Sequence, residues 1–359
     1  MTRHADFALG LYGELAGEVP AAGNLVWSPY SVASALGVAA AGARGKTHDE
    51  LARALGGELP GLGGELSAAA RPGDAEVAVA NVLWTRLGLP FEDDYQRTVL
   101  GWPGGALHAA DFAGDPEGAR AKINAEVEKT TRGLIKELLA RGVITPDTAA
   151  VIVNALYLKV AWRQPFEEGL TSPRPFAAPS GRRKVPAMRQ LRRLPYAAAD
   201  GWRMVTLPTE SDIVVDVLLP EGAGADLPGL DAGALTRLYD AAAPVQVDLA
   251  LPKFRVETSV TLNGPLAGLG VVTAFDPDRA DFSGITPEQI CVSKIVHQAV
   301  LRLDEQGFEG AAATAVVMRL ASAFSGGRAV EFHVDRPFLL LVRHPGTGAI
   351  YFLARITEP

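Results

Sequence analysis

Residues 77–84 read Val-Ala-Val-Ala-Asn-Val-Leu-Trp, and residues 151–158 read Val-Ile-Val-Asn-Ala-Leu-Tyr-Leu. A strand with one wet face alternates apolar and polar side chains, whereas a strand apolar at both parities must be covered on both faces. The two runs therefore predict strands of a sheet that lies inside the molecule. Between them, residues 121–139 set Ile123, Val127, Leu134 and Leu138 on one side at helical spacing, which predicts an amphipathic helix.

The rest of the first half reads as helices. Phe7, Leu11 and Leu15 recur at helical spacing over residues 5–15. Ser28 before Pro29 is a helix start, with Ser as cap and Pro in the first turn, leading into an Ala-rich buried helix over 32–41. Thr47 and Glu50 have the spacing of a capping box that opens another helix through Leu51 and Leu55. Strand patterns dominate later, at 204–207, 213–219, 245–251, 256–261, 290–303, 338–342 and 350–356, punctuated by Pro, Gly and Asp. Helices early and strands late predict an α+β architecture rather than βαβ repeats. No repeat and no linker interrupts the chain, so residues 1–359 are expected to form one large domain.

Apolar residues are 48% of the 359, which is enough for a sizeable core. A net charge of −7 leaves no basic excess to neutralise phosphates, so nucleic acid is not an expected partner. Arg182, Arg183, Lys184, Arg189, Arg192 and Arg193 cluster locally and read as a solvated strand or loop face. The single cysteine, Cys291, excludes an internal disulfide and reads as a small buried hydrophobe. No signal-peptide core and no membrane-length apolar run is present, which predicts no membrane association. A cytoplasmic location is expected for the chain as written, or secretion if a leader has been removed.

Catalytic signatures are weak. Gly42-Ala43-Arg44-Gly45-Lys46-Thr47 ends like a phosphate-binding loop, but the first glycine of that pattern falls on Ala40, and a helix rather than a strand precedes it. A nucleotide enzyme is thus a distant alternative. The six histidines lack ligand spacing, so no metal and no cofactor is expected, and His297 within an apolar strand reads as a hydrogen-bonded core residue.

Residues 306–327 are the anomaly. They lie between two strand patterns and exceed an ordinary connector, and such loops are usually functional. Val316, Val317, Met318, Leu320 and Phe324 are costly to leave in water. The segment begins with Gly and Ala and then turns β-branched, small enough to slide between neighbours and suited to strand pairing. An Ala-rich surface helix over 309–318 is the competing reading of its composition.

The motifs decide between them. Residues 24–36, with Trp27-Ser28-Pro29 and Ser31, resemble the N-x-x-F-S-P-x-S-x-x-x-A-L segment of the serpin family. Ile123-Asn124 with Val127, Thr131, Gly133 and Ile135 is similar to the family helix that lies over the main sheet. Asn154-Ala155-Leu156-Tyr157-Leu158 followed by Trp162, Phe166 and Thr171 resembles another signature. So do Leu251-Pro252-Lys253-Phe254, the Ala280-Asp281-Phe282-Ser283-Gly284-Ile285 turn, the approach from His297-Gln298-Ala299 to Asp304-Glu305-Gln306-Gly307, and Arg336-Pro337-Phe338. The resemblance covers almost the whole chain, and the number and order of the motifs give it weight.

The resemblance implies helices packed around three β-sheets, with a large central sheet able to accept the reactive-centre loop, residues 305–327, as an extra strand. It implies no catalysis, but inhibition of serine proteases of chymotrypsin-, elastase- or subtilisin-like specificity by a suicide-substrate mechanism. The protease is held in a covalent 1:1 complex by a monomer. Cleavage as a plain substrate by a non-inhibitory member is the alternative. Family spacing puts the reactive bond at Ala321-Ser322, with Leu320 as the shifted alternative. The hinge is Glu305, Gly307, Phe308, Gly310, Ala311, Ala312, Ala313 and Thr314. Ser28, Ser31, Asn154 and His297 resemble the polar shutter under the main sheet, and Trp162, Lys253 and Glu305 the breach where insertion begins, with a Lys253–Glu305 pair expected. Strand insertion would turn Phe308, Gly310, Ala312, Thr314, Val316 and Met318 inward. Phe308 stands where the family usually carries Thr or Ser, so its ring must pass between two strands or be docked beforehand. About ten new ladder bonds at ~0.5–1.5 kcal/mol each, with side-chain burial, would release on the order of 10–30 kcal/mol, which makes the uncleaved fold metastable.

Overall fold

The computed structural model describes residues 3–57, 59–222, 227, 229–308 and 329–359. Eight α-helices lie among these residues: α1 (Arg3–Glu18), α2 (Pro29–Gly42), α3 (Gly45–Ala54), α4 (Leu59–Ala68), α5 (Asp93–Val99), α6 (Pro116–Thr130), α7 (Ala232–Ala241) and α8 (Asn263–Gly268). The central sheet is built from β2 (Glu76–Arg86), β3 (Gly105–Ala110), β4 (Ala150–Ala161), β10 (Phe254–Thr261), β11 (Lys294–Asp304) and the two-residue β12 (Gly307–Phe308), in the order β10-β11-β12-β4-β2-β3. The remaining strands are β1 (Leu25–Trp27), β5 (Ser172–Ala178), β6 (Gly181–Ala199), β7 (Trp202–Pro208), β8 (Val214–Pro220), β9 (Ala243–Pro252), β13 (Val330–His333), β14 (Phe338–Arg343) and β15 (Ile350–Ile356). They run β1-β15-β14-β8-β7-β6-β9-β13, with β5 on β6. The 19-residue β6 serves two sheets: residues 187–196 pair with β9, and residues 196–199 pair with β7. The three expected sheets are thus a free central one and two that share a strand.

The two apolar runs lie side by side, β2 antiparallel to β4 from Glu76↔Lys159 to Thr85↔Ala150. One face of the central sheet packs on α2 and the other strands; the other packs Val82, Trp84, Val151 and Val153 against Ile123 and Val127 of α6. β4 is buried almost throughout, whereas β2 is only half-buried over its first four residues.

The helix expected over 121–139 is Pro116–Thr130 instead. Gly133 N–H reaches Glu128 C=O at 2.8 Å and Arg132 N–H reaches Lys129 C=O at 3.3 Å, with Arg132 and Gly133 both at positive φ, which closes the helix. Leu138 is buried from an irregular segment that Asn124 staples to the helix through both polar atoms of Leu139, at 2.8 and 3.0 Å. The Ser28 cap is present, accepting from Ser31 N–H at 3.1 Å.

The capping box is not. α3 begins at Gly45, and Thr47 Oγ1 accepts from Asp281 N–H at 2.9 Å. Glu50 accepts from Val272 N–H, Thr273 N–H and Thr273 Oγ1–H at 2.9, 2.7 and 2.8 Å. Lys46 pairs with Glu50, so the residues of the phosphate-loop look-alike serve the fold. The strand expected over 290–303 begins at Lys294, and Cys291 before it is half-buried, its thiol pushed up by burial and the nearby Asp276 charge. In the basic cluster Arg183 pairs with Glu358 and Arg189 with Asp248, at 2.7 and 2.6 Å, while Arg182, Lys184 and Arg193 stand exposed on β6. Among the described residues no helix is long and apolar enough to cross a membrane.

Glu50 joins α3 to residues 272–273. Burial works to raise its carboxyl, but those three donors and Lys46 hold it below its ordinary value. Glu50→Gln removes the ionised acceptor from all three donors and turns one of the two accepting oxygens into an NH2 group, so at least one buried donor loses its partner. It is expected to cost ~1–3 kcal/mol, read as a melting temperature several degrees lower at neutral pH. An unchanged melt would show that residues 272–273 do not depend on the carboxylate.

Candidate functional site

Among the described residues the central sheet is incomplete between β4 and β11. β4 and β11 run parallel and pair from Val151↔Lys294 to Ala155↔Gln298. Beyond that they part, and β12 stands between them, antiparallel to both: Phe308 is opposite Leu303 and Val160, and Gly307 is opposite Asp304 and Ala161. Residues 299–302 and 156–159 have no ladder partner across this gap among the described residues. A cavity of about 50 Å³ lies there, lined by Leu158, Val300, Leu301 and Phe308 among others.

The wedge is strapped at its turn. Asp304, Glu305 and Gln306 each give a backbone carbonyl to the segment after β4. Trp162 Nε1–H donates to Asp304 at 2.9 Å, Phe166 N–H to Glu305 at 2.9 Å and Trp162 N–H to Gln306 at 3.0 Å. Lys253 Nζ reaches both Glu305 oxygens, at 2.7 and 3.0 Å, and Thr171 Oγ1–H donates to Oε1 at 2.7 Å. Burial works to raise the Glu305 carboxyl, but the Lys253 and Thr171 hydrogen bonds hold it below its ordinary value. Trp162, Lys253 and Glu305 are therefore brought together at this turn, with Thr171 beside them.

Gly307 and Phe308 form a matched pair. Gly307 has φ of 146°, and a Cβ on it would lie 2.2 Å from Val160 O and 2.8 Å from Ala161 Cα. No other residue fits so close to the neighbouring backbone. Phe308 is 1% exposed, its ring 5.2 Å from Trp162, which meets Phe166 edge-on at 6.1 Å. The ring is thus already docked between the strands.

The four residues expected in the shutter form one buried chain of hydrogen bonds at the paired end. Ser28 N–H donates to His297 Nε2 at 3.0 Å, so the imidazole proton is on Nδ1, which donates to Asn154 Oδ1 at 2.7 Å. Asn154 Nδ2 shares its two protons among Ser31 O and Oγ, at 2.7 and 2.6 Å, and Asn81 Oδ1. Asn81 was not expected here, yet the signal existed: one amide in an otherwise apolar, doubly covered strand needs a partner. Gly310, Ala311, Ala312, Ala313, Thr314, Leu320, Ala321 and Ser322 lie outside the described residues. Among the described residues no three His, Cys, Asp or Glu group to hold a metal.

Desolvation lowers His297 to about 3 and His4 to about 4, both from 6.5. A base whose folded value lies below its unfolded one stabilises fully above 6.5 and loses that contribution as pH falls. Each histidine is expected to remove about 1.4 kcal/mol per pH unit below 6.5, His4 down to about 4 and His297 down to about 3. The melting temperature should fall across that window, and less so in His4→Gln; a flat profile from pH 6.5 to 4 would contradict the buried neutral state. Separately, Gly307→Ala is expected to expel β12, seen as faster hydrogen exchange at 303–308 and 160–162. Unchanged protection there would show that the backbone approach tolerates a methyl group.

Comparison with known proteins agrees across the whole chain. The family model described as Serpin (serine protease inhibitor) matches residues 2–359. A serpin-like protein of Thermococcus kodakarensis is 33% identical over 368 residues, covering 99% of this chain and 84% of that protein. The human leukocyte elastase inhibitor is 32% identical over 375 residues, covering 98% and 97%. Native protease nexin-1 with heparin is similar in structure at a TM-score of 0.89 and 27% identity, covering 99% of this chain and 98% of that one. The half-paired sheet, the strapped turn and these likenesses lead to one conclusion: the chain belongs to the serpin family.

Proposed function

We propose that this serpin inhibits serine proteases as a suicide substrate, and the observation that carries the reading is β12, already wedged between two parallel strands that stop pairing beside it. The protease serine oxygen adds to the Ala321 carbonyl, the bond to Ser322 breaks, and the freed Ser322 amine takes the proton and leaves. The new end, now an ester at residue 321, is free to follow Phe308 into the gap. Continued antiparallel register would bring residue 310 level with Leu301 and Leu158, residue 312 with Ala299 and Leu156, and residue 314 with His297 and Asn154. Gly310, Ala312 and Thr314 are small enough for those positions. Below residue 312 the entering strand replaces the parallel pairs with two antiparallel ladders, which are slightly more stable per residue. The protease moves with the strand and is trapped before hydrolysis in a 1:1 covalent complex with the monomer.

A small residue at 321 suits elastase-, chymotrypsin- or subtilisin-like enzymes, and Leu320 as the shifted alternative suits the chymotrypsin-like. Plain cleavage as a substrate is the alternative, raised by a bulky ring that must pass between strands. Phe308 lies between them already, which supports the inhibitory reading.

Mixing the protein with elastase, chymotrypsin, subtilisin and trypsin is expected to give a denaturant-resistant band at the summed mass with at least one of the first three. The C-terminal fragment released on denaturation should begin at Ser322, or at Ala321 for the shifted bond. Clipped protein with full protease activity in every mixture would overturn inhibition.

A further inference from the structure

One row of charges crosses the outer face of the central sheet where the gap begins. The cross-strand register aligns Glu76 on β2 with Lys159 on β4, and Arg302 on β11 with Arg255 on β10. The inner neighbours of this row, Leu158, Val160, Leu301, Leu303, Phe254 and Val256, belong to the core on the opposite face. Arg302 and Arg255 are like charges in direct opposition, an arrangement that destabilises a sheet unless an anion lies beside it. Lys159 and Arg255 have no side-chain partner among the described residues, and Arg302 has one, Asp304 at 3.3 Å. Glu76 is occupied by Arg132. From β2 to β10 the row is negative, positive, gap, positive, positive.

Phe308 is opposite Val160 and Leu303, so the next residue of an entering strand falls between Lys159 and Arg302, on the outer face. That residue is Glu309, which lies outside the described residues and is the sole charge in the sequence from 306 to 318. We infer that Lys159, Arg302 and Arg255 form a carboxylate clamp, and that its occupant is Glu309 of this chain once the loop enters the sheet. The clamp completes the charge row and fixes the insertion register. A slip of one residue would carry Glu309 to the apolar face and Gly310 to the basic row, so the charges penalise it. These are positioning residues, since none touches the reacting bond. The inference rests on the insertion reading of the proposed function.

The test is a double-mutant cycle of Glu309→Gln and Arg302→Gln in the full chain, with Lys159→Gln alongside. The loop is clipped by limited proteolysis, and the urea midpoints of clipped and unclipped protein are compared at low salt and at about 1 M NaCl, where screening reaches about 3 Å. Clipping is expected to raise the parent's midpoint. In the clipped form at low salt each variant should lose on the order of 0.1–0.3 M of that rise, with Glu309 and Arg302 coupled. The coupling should be absent before clipping and shrink at high salt. A rise in the parent with no coupling in the clipped form overturns the clamp alone. No rise in the parent overturns insertion, and the clamp with it.

Discussion

Two parallel strands that stop pairing halfway set the terms for the rest of this molecule. β4 and β11 are held together over five register pairs and then diverge, with β4 buried almost throughout. Parallel neighbours cannot be joined by a short hairpin, so nothing local closes the space between them. Among the described residues, backbone groups at 156–159 and 299–302 face a gap rather than a ladder on this side, and such groups are costly to leave unmatched in a covered sheet. The polar networks lie at the two ends of this defect. His297 and Asn154 join β11 to β4 where pairing persists, and the Trp162, Phe166 and Glu305 contacts secure the turn where it has failed. α6 and the segment after it cover the outer face between.

The wedge depends on two adjacent residues with opposite demands. Gly307 must have no side chain, because Val160 O lies 2.2 Å from where a Cβ would be. Phe308 must have a large one, because the space beside Trp162, Leu303 and Val160 is otherwise empty, and protein interiors do not leave voids of that size without loss. A smaller residue would enter the sheet more easily but would hold the head of the gap less well. On the proposed reading the buried ring is an anchor for the uncleaved fold rather than an obstacle to a strand entering behind it.

Much of this was legible in the sequence, for reasons that differ by element. Continuous apolar runs gave β2 and β4 because coverage on both faces leaves no choice of residue. The Ser28 cap was legible because capping is local. Thr47 and Glu50 misled for the opposite reason: their spacing is that of a local cap, but both side chains bind segments more than two hundred residues away, which no local pattern encodes. The helix over 121–139 was overextended because Leu134 and Leu138 keep helical spacing while an irregular segment returns along the same apolar surface, and the Arg132 conformation that ends the helix needs no glycine at that position. The grouping of Ser28, Ser31, Asn154 and His297 was legible only through the family resemblance, because it joins residues far apart in the chain. Asn81 and Thr171 were in view, but nothing in the sequence says which distant side chain each one meets.

The direction of the polar chain has a consequence for the sheet. Ser28, which donates to His297 Nε2, is also the cap of α2, so the helix start fixes the imidazole tautomer. With Nε2 occupied, the Nδ1–H has one acceptor among the described residues, Asn154 Oδ1, and that contact crosses from β11 to β4. Separating the strands at this level therefore breaks a register pair and a side-chain hydrogen bond together. On the proposed reading, the residue that arrives there is Thr314. Its hydroxyl has both roles available: it accepts from His297 Nδ1–H and donates to Asn154 Oδ1. A Val at 314 would have the same shape and neither role, leaving a buried donor and a buried acceptor facing a methyl group, at about 1–3 kcal/mol each. The chemistry needed at the closed end of the sheet is thus carried by the strand proposed to open it.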